Sequence, residues 1–366
     1  MINIGILDKK PITSFVFHPQ EGKYIVYTES GKLMELENTD IIELSFRNNK
    51  VFVKTLEKDL GEFSKIRIIG VSEKNFFKLK TNQPSGKTLQ YEDNLLVKKH
   101  PYNSYLQLIN NINIDNYVAG VVEAEVGKNP PEEYFKLQAI ICRTYALKNI
   151  DKHQLEGFSL CDKVHCQAYH GKPKSEQIHQ SAWLTSNIVI VDSDINLITA
   201  TFYSNCGGET ANSEEVWHQK LYYLRAVKDT FCLKENNAVW TKKIAKKEWE
   251  NYLLKNGYPP KNFNDSCGYD YFQVGREKYF ERQNVQIPLV KIRNDFRLKS
   301  AQFDVEEEGA YMLFKGKGFG HGVGLCQEGA MRMAKMGYSY AAILHFYYED
   351  VHMIDLESLD FFKADF

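Results

Sequence analysis

In DNYVAGVVEAEVG, residues 115–127, Val118, Val121 and Val122 recur at helical spacing. Glu125 falls on the same stripe, at i+7 from Val118 and i+4 from Val121, while Glu123 lies off it. A carboxyl on an inward stripe loses water, which disfavours its charged form. Such a group can stay protonated near neutral pH and act as a general acid. A core ion pair with Arg143 explains the same position equally well, and the stripe alone leaves the two readings even.

Two further stretches hold chemistry-bearing types. CDKVHCQAYH supplies Cys161, His165 and Cys166, with His153 eight residues upstream and His170 four downstream. Thiolate and imidazole donors together suit a tetrahedral zinc, and a closed ligand set would clamp the loop rather than activate water. A Cys161–Cys166 disulfide and an unliganded loop are the alternatives, because the spacing is not a double CxxC. GKGFGHGVGLCQEGA, residues 316–330, has five glycines in its first nine residues. Glycine permits positive φ and close approach of another chain, so the stretch reads as backbone lining a ligand surface or as a tight structural turn. It lacks GxxxxGK[ST] and matches the dinucleotide fingerprint poorly. His321 within it could bind substrate, orient an acid or satisfy the turn.

The elements that must position these residues follow from patterning. Short alternating runs over residues 1–98 (INIGIL, YIVYT, KLMEL, VFVKTL, KIRIIGV) predict a β-rich region. Asp115 is the expected N-cap of a first helix and Gly127 its stop; EEYFKLQAIICRTYALKNI predicts a second helix, forming a hairpin with the first. A helix near 174–186 and strands at NIVIV and NLITATFYS come next. Residues 231–285 change texture to a basic helix and a Pro/Asn/Asp loop and read as an insertion. LVKIRNDFRLKSAQFDV resumes strand alternation, and the stretch from Ala330 returns to helical spacing. The expected fold is therefore α+β: a helical hairpin on a β-rich core, divided into an N-terminal region 1–98 and a domain 99–366 that carries the insertion.

At 366 residues, with 43% hydrophobic and 13% aromatic residues, the chain can bury a sizeable core. Its 46 Lys+Arg against 47 Asp+Glu argue against nucleic acid or an acidic membrane as partner. No apolar run is long enough to span a bilayer, and MINIGILDKK lacks the features of an export signal. Seven cysteines leave at least one outside any intramolecular disulfide.

YVAGVVEAEVG, KLQAIICRTYAL, CDKVHCQAYHG, SNCGGETANSEEVW with YLRAV, and GKGFGHGVGLCQEGA with ILHFYYEDV resemble, in order, the motifs of the SpoIID/LytB family, over roughly residues 110–355. The resemblance implies a bacterial cell-wall protein working outside the cytoplasmic membrane. Its members act as lytic transglycosylases on glycan stripped of stem peptides, or enhance cell-wall amidases by gripping glycan without cleaving it. It implies Glu125 as catalytic acid and base, with no cofactor required. It also implies Arg143 as a group that holds substrate, tunes Glu125 or forms a structural ion pair. Ser204, His321 and Gln327 would be polar positions of a glycan groove. Peptidoglycan strands and a cell-wall amidase are the implied partners, and His153, Cys161, His165 and Cys166 the implied zinc ligands. The family's usual Ser is replaced by Cys326, and a small hydroxyl residue is common where Cys206 stands. The pair reads as a Cys206–Cys326 bridge or as two buried thiols.

Overall fold

A computed structural model describes residues 1–126, 130–217, 219–258, 269–282 and 285–358. Strand-forming runs and amphipathic helices coexist as expected of an α+β protein, and the chain divides into two compact units. The first comprises Met1–Val189 with Leu197–Thr199 and the stretch from Ile354; the second comprises Ile190–Asn196 and Ala200–Met353.

In the first unit the alternating runs form two sheets. One has seven strands in the order Leu160–Cys161, Ile2–Ile6, Leu106–Ile112, Asn94–Lys99, Lys65–Gly70, Tyr24–Thr28, Gly31–Leu36. The other has six, with Ser14–Glu21 between Phe76–Gln83 and Ile42–Arg47. Period-2 alternation does the sorting: Phe15 and Phe17 of one strand, Phe77 and Leu79 of its neighbour, are all fully buried. The 98/99 division expected from composition falls inside a ladder, since Asn94–Lys99 pairs antiparallel with Leu106–Ile112. The β-rich region and the helices that follow share one unit.

Those helices are α1 (Ile114–Glu125), α2 (Glu132–Lys148) and α3 (Glu176–Leu184), and each packs on the other two. The N-cap of α1 is Asn113, whose side chain accepts the Asp115 N–H at 2.7 Å, and not Asp115 as the sequence suggests. Asp115 is drawn away by Arg143, a partner 28 positions on that local reading cannot see. Gly127, the expected stop, lies outside the described residues; the helix ends with Val126 extended.

The second unit contains a short parallel pair, Phe202–Tyr203 with Leu325–Cys326, followed by α4 (Ser213–Val216). A three-stranded sheet, Val239–Ala245, Tyr311–Lys317, Phe303–Glu308, supports α5 (Lys246–Lys255) and α6 (Leu289–Asp295). Trp249, Phe280, Ile292 and Phe314 are among the residues of the core they share. The basic stretch 241–255 is thus a strand and then a helix, because Trp240 and Ile244 alternate toward that core before the helical spacing begins. Strand alternation expected at LVKIRND gives way to α6. The expected loop over residues 259–268 lies outside the described residues. α7 (Gln327–Lys335) starts before Ala330, with Cys326 as its N-cap, and α8 (Tyr340–Tyr347) follows it.

Candidate functional site

Glu125 closes α1, half-buried, its Oε1 accepting the Ala168 N–H at 3.2 Å. Burial raises its carboxyl above the ordinary glutamate value, and the Ala168 hydrogen bond and nearby His170 only partly oppose that. Glu123, two residues earlier, is engaged differently. Its Oε1 accepts the N–H groups of Lys174 and Ser175 at 2.7 and 2.9 Å, tying α1 to the segment that leads into α3. One carboxylate fastens the backbone, and the other keeps capacity in reserve. Gly120, Glu123 and Ala124 of α1 face His170, Gly171 and Lys172 across a cleft of about 440 Å3. A Cβ at residue 120 would overlap the Gly171 carbonyl and the Tyr169 ring, so glycine there sets the approach of the segment that carries Ala168.

Arg143 does not pair with Glu125. It is fully buried, and its Nη2 and Nε donate to Asp115 Oδ1 at 2.7 and 2.9 Å. Further donations reach the carbonyls of Ala182 and Ile188 at 2.9 and 3.1 Å, joining α1, α2 and α3. Burial pulls its guanidinium below the ordinary value while Asp115 works against it. The geometry takes the structural reading of Arg143: its fork is occupied by protein. Asp115 is the buried counter-charge of Arg143, where sequence reasoning assigned it to capping alone.

In the loop after α2, donor atoms of His153, Cys161, His165 and Cys166 all lie within 4.8 Å of one another. His165 Nδ1 is 3.9 Å from Cys161 Sγ and 3.8 Å from Cys166 Sγ. His153 Nδ1 meets Glu156 at 2.6 Å, which leaves its buried Nε2 without a partner among the described residues. A histidine with one nitrogen fixed by a carboxylate and the other free is what a metal ligand requires. Hydrogen bonding with Cys166 draws the Cys161 thiol well below its usual range. Two sulfurs and two imidazoles at these separations fit a tetrahedral zinc-type cation.

Ser204, His321 and Gln327 belong to the second unit. His321 is half-buried with both nitrogens engaged: Nε2 lies 3.0 Å from the Phe202 carbonyl and Nδ1 accepts the Val323 N–H at 3.1 Å. That assigns the neutral tautomer protonated on Nε2. Burial pushes its pKa down to about 4. Of the three readings open in the sequence, this geometry matches the satisfied turn. The glycines around it serve approach of the chain to itself: a Cβ on Gly318, at φ +74°, would lie 2.6 Å from the Asn205 carbonyl. Ser204 Oγ accepts from Asn237 at 3.4 Å, and Asn237 also donates to Glu328 at 2.6 Å. Gln327 leaves its Nε2 buried with no partner among the described residues. Asn237 and Glu328 were missed in the sequence, where only the stretch as a whole signalled polarity. Cys206 and Cys326 are free thiols, so the bridge reading fails.

Fold and site define an α+β protein with a reserved, half-buried carboxyl at a helix end and a Cys/His loop beneath it in sequence. A family model described as SpoIID, stage II sporulation protein, matches residues 102–191, which hold α1, α2, α3 and that loop. An uncharacterised protein of Brachyspira hyodysenteriae is 30% identical over 272 residues, covering 70% of this chain and 70% of its own length. Stage II sporulation protein D of Bacillus subtilis is 26% identical over 277 residues, covering 70% of this chain and 79% of its own. An amidase enhancer of Bacillus subtilis is 25% identical over 284 residues, 63% of this chain but 39% of that protein. The chain belongs to the SpoIID family. No helix among the described residues is long and apolar enough to cross a membrane.

Proposed function

We propose that the protein is a cell-wall lytic transglycosylase, acting outside the cytoplasmic membrane on peptidoglycan glycan strands freed of stem peptides. The observation that carries this reading is Glu125: raised by burial, in no ion pair among the described residues, and with the Ala168 N–H on its carboxyl. In the proposed reaction the Glu125 acid protonates the glycosidic oxygen after N-acetylmuramic acid as that bond breaks. The resulting carboxylate removes the C6 hydroxyl proton while that oxygen closes on C1, giving a 1,6-anhydro end and restoring the acid. The substrate's own hydroxyl is the nucleophile, so the second carboxylate of ordinary glycoside hydrolysis is not needed. Ser204 and Gln327 are proposed glycan contacts, since both are polar side chains left partly exposed. His153, Cys161, His165 and Cys166 are proposed to hold a structural zinc that shapes the loop running to Ala168, with no open position for chemistry.

A second reading, a glycan-binding enhancer of a cell-wall amidase that does not itself cleave, is favoured by the likeness to a relative named as an amidase enhancer. Mass spectrometry of denuded glycan strands incubated with the intact chain and with Glu125→Gln separates the two. Anhydro-muramoyl ends from the first and none from the second support the enzyme. Retention of glycan by both without any product supports the enhancer.

A further inference from the structure

A second group of metal-type donors lies in the second unit and is independent of the proposed reaction. The side chains of Cys206, Asp229, Cys232 and Cys326 converge, all buried, with their ligand atoms within 4.8 Å of one another. Cys206 Sγ lies 3.2 Å from Cys232 Sγ and 3.3 Å from Asp229 Oδ2. The sulfur separation is far longer than the ~2.05 Å of a disulfide and shorter than the ~3.8 Å between two thiolates on one tetrahedral ion with metal–sulfur bonds of ~2.3 Å, so a bound ion would spread the pair slightly.

The surroundings favour a cation over three idle thiols. Asp229 is completely buried, and among the described residues no Lys, Arg or His forms an ion pair with it. Its carboxylate instead receives donors: the Phe231 N–H at 2.9 Å on Oδ1 and the Tyr347 hydroxyl at 2.8 Å on Oδ2. A buried carboxylate is ordinarily paired with a positive charge or coordinates a metal. Cys326 Sγ faces the N–H groups of Cys206 and Gly329 at 3.3 and 3.4 Å, the support a ligating thiolate receives from backbone. Gly329 is itself fitted to the cluster, since a Cβ there would overlap both Asp229 Oδ2 and the Tyr347 hydroxyl. A disulfide between any two of the sulfurs would still leave the buried Asp229 carboxylate without a positive partner among the described residues.

We propose that Cys206, Asp229, Cys232 and Cys326 form a second metal centre, a three-sulfur, one-carboxylate set for zinc or a zinc-like divalent cation. Binding exchanges the thiol protons, released to solvent, for four metal–ligand bonds. The ligands come from the end of the Phe202–Tyr203 strand, the 229–232 turn and the N-cap of α7, so the ion would pin the parallel strand pair and fix Ser204 and Gln327 in register. With no open position its role is structural.

The test uses the full chain with the loop set disabled by Cys161→Ser and Cys166→Ser, purified with reductant and zinc. Metal content by plasma mass spectrometry should be one zinc per chain, falling to none when Cys206→Ser and Cys326→Ser are added. Unchanged content between the two proteins would overturn the proposal. Because the added changes could impair folding, cobalt binding to the loop-disabled chain gives a second readout. Intense thiolate-to-cobalt charge transfer with tetrahedral ligand-field bands is expected, weakened in affinity by Asp229→Asn. A cobalt spectrum without sulfur charge transfer would overturn the proposal. So would unreduced peptide maps linking Cys206 to Cys232 or Cys326 in protein from the native compartment.

Discussion

Glu125 in the first unit and His321 in the second are both half-buried titratable groups on glycine-bordered segments, and burial pushes both toward neutrality. Their consequences are opposite. Glu125, pushed toward its neutral form, keeps one backbone contact and room to donate a proton in the proposed reaction; His321 has both nitrogens committed to its own segment. Desolvation alone therefore does not make a site. What separates the two is hydrogen-bonding capacity left unused after folding.

Glu125→Gln should break this comparison most strongly, lowering turnover on denuded glycan by about 100- to 10,000-fold, the range of a lost general acid. Its stability should move the other way. A carboxyl raised above its unfolded value destabilises the fold as pH rises through the folded pKa, so the Gln chain should melt at a higher temperature than the parent at pH 8 and no higher at pH 4. The same raised pKa places the alkaline limb of the rate profile above the range of a free glutamate.

Asp115→Ala should come next. It leaves the fully buried Arg143 without its counter-charge, at a cost of about 3–5 kcal/mol in urea unfolding. Adding Arg143→Met should recover much of that loss, because the uncompensated buried charge is then gone. His321 gives a smaller effect with the other sign from Glu125. Its folded pKa of about 4 lies below the unfolded 6.5, so stability is lost as pH falls between them. His321→Gln should be flatter by about 3 kcal/mol over that interval, while turnover changes less than with Glu125→Gln. Gly120→Ala should cost about 1–3 kcal/mol, the range of overpacking, with a fall in turnover as the 168–171 segment is displaced.

The two regions also differ in how much the sequence disclosed. The half-buried placement of Glu125 was legible because a single helix stripe carries the argument, and the strands near Ile2, Tyr24 and Ile66 were legible through alternation. Arg143's partner was not, since Asp115 stands where a cap is expected and the pairing spans two helices. The roles of Glu123 and Glu125 could be distinguished by facing but not by their partners, which lie in the loop after α2. In the second unit the relevant contacts are longer still. Cys232 looked like part of an insertion, and only folding sets it beside Cys206 and Cys326. The glycines of 316–324 read as a ligand-facing surface because sequence shows permissiveness but not what comes close.

The strand Ile2–Ile6 lies inside its sheet, flanked by Leu106–Ile112 and Leu160–Cys161, with Ile2 opposite Ile112. During synthesis it emerges first among these, has no neighbour until Leu106–Ile112 is delivered, and lacks its second until Leu160–Cys161 follows. An apolar strand in that wait exposes first both and then one of its hydrogen-bonding edges, the condition under which chains pair with the wrong partner. Nascent protein should thus depend on holdase chaperones until residue 161 is released, and arrest of translation before Leu106 should leave a product that aggregates.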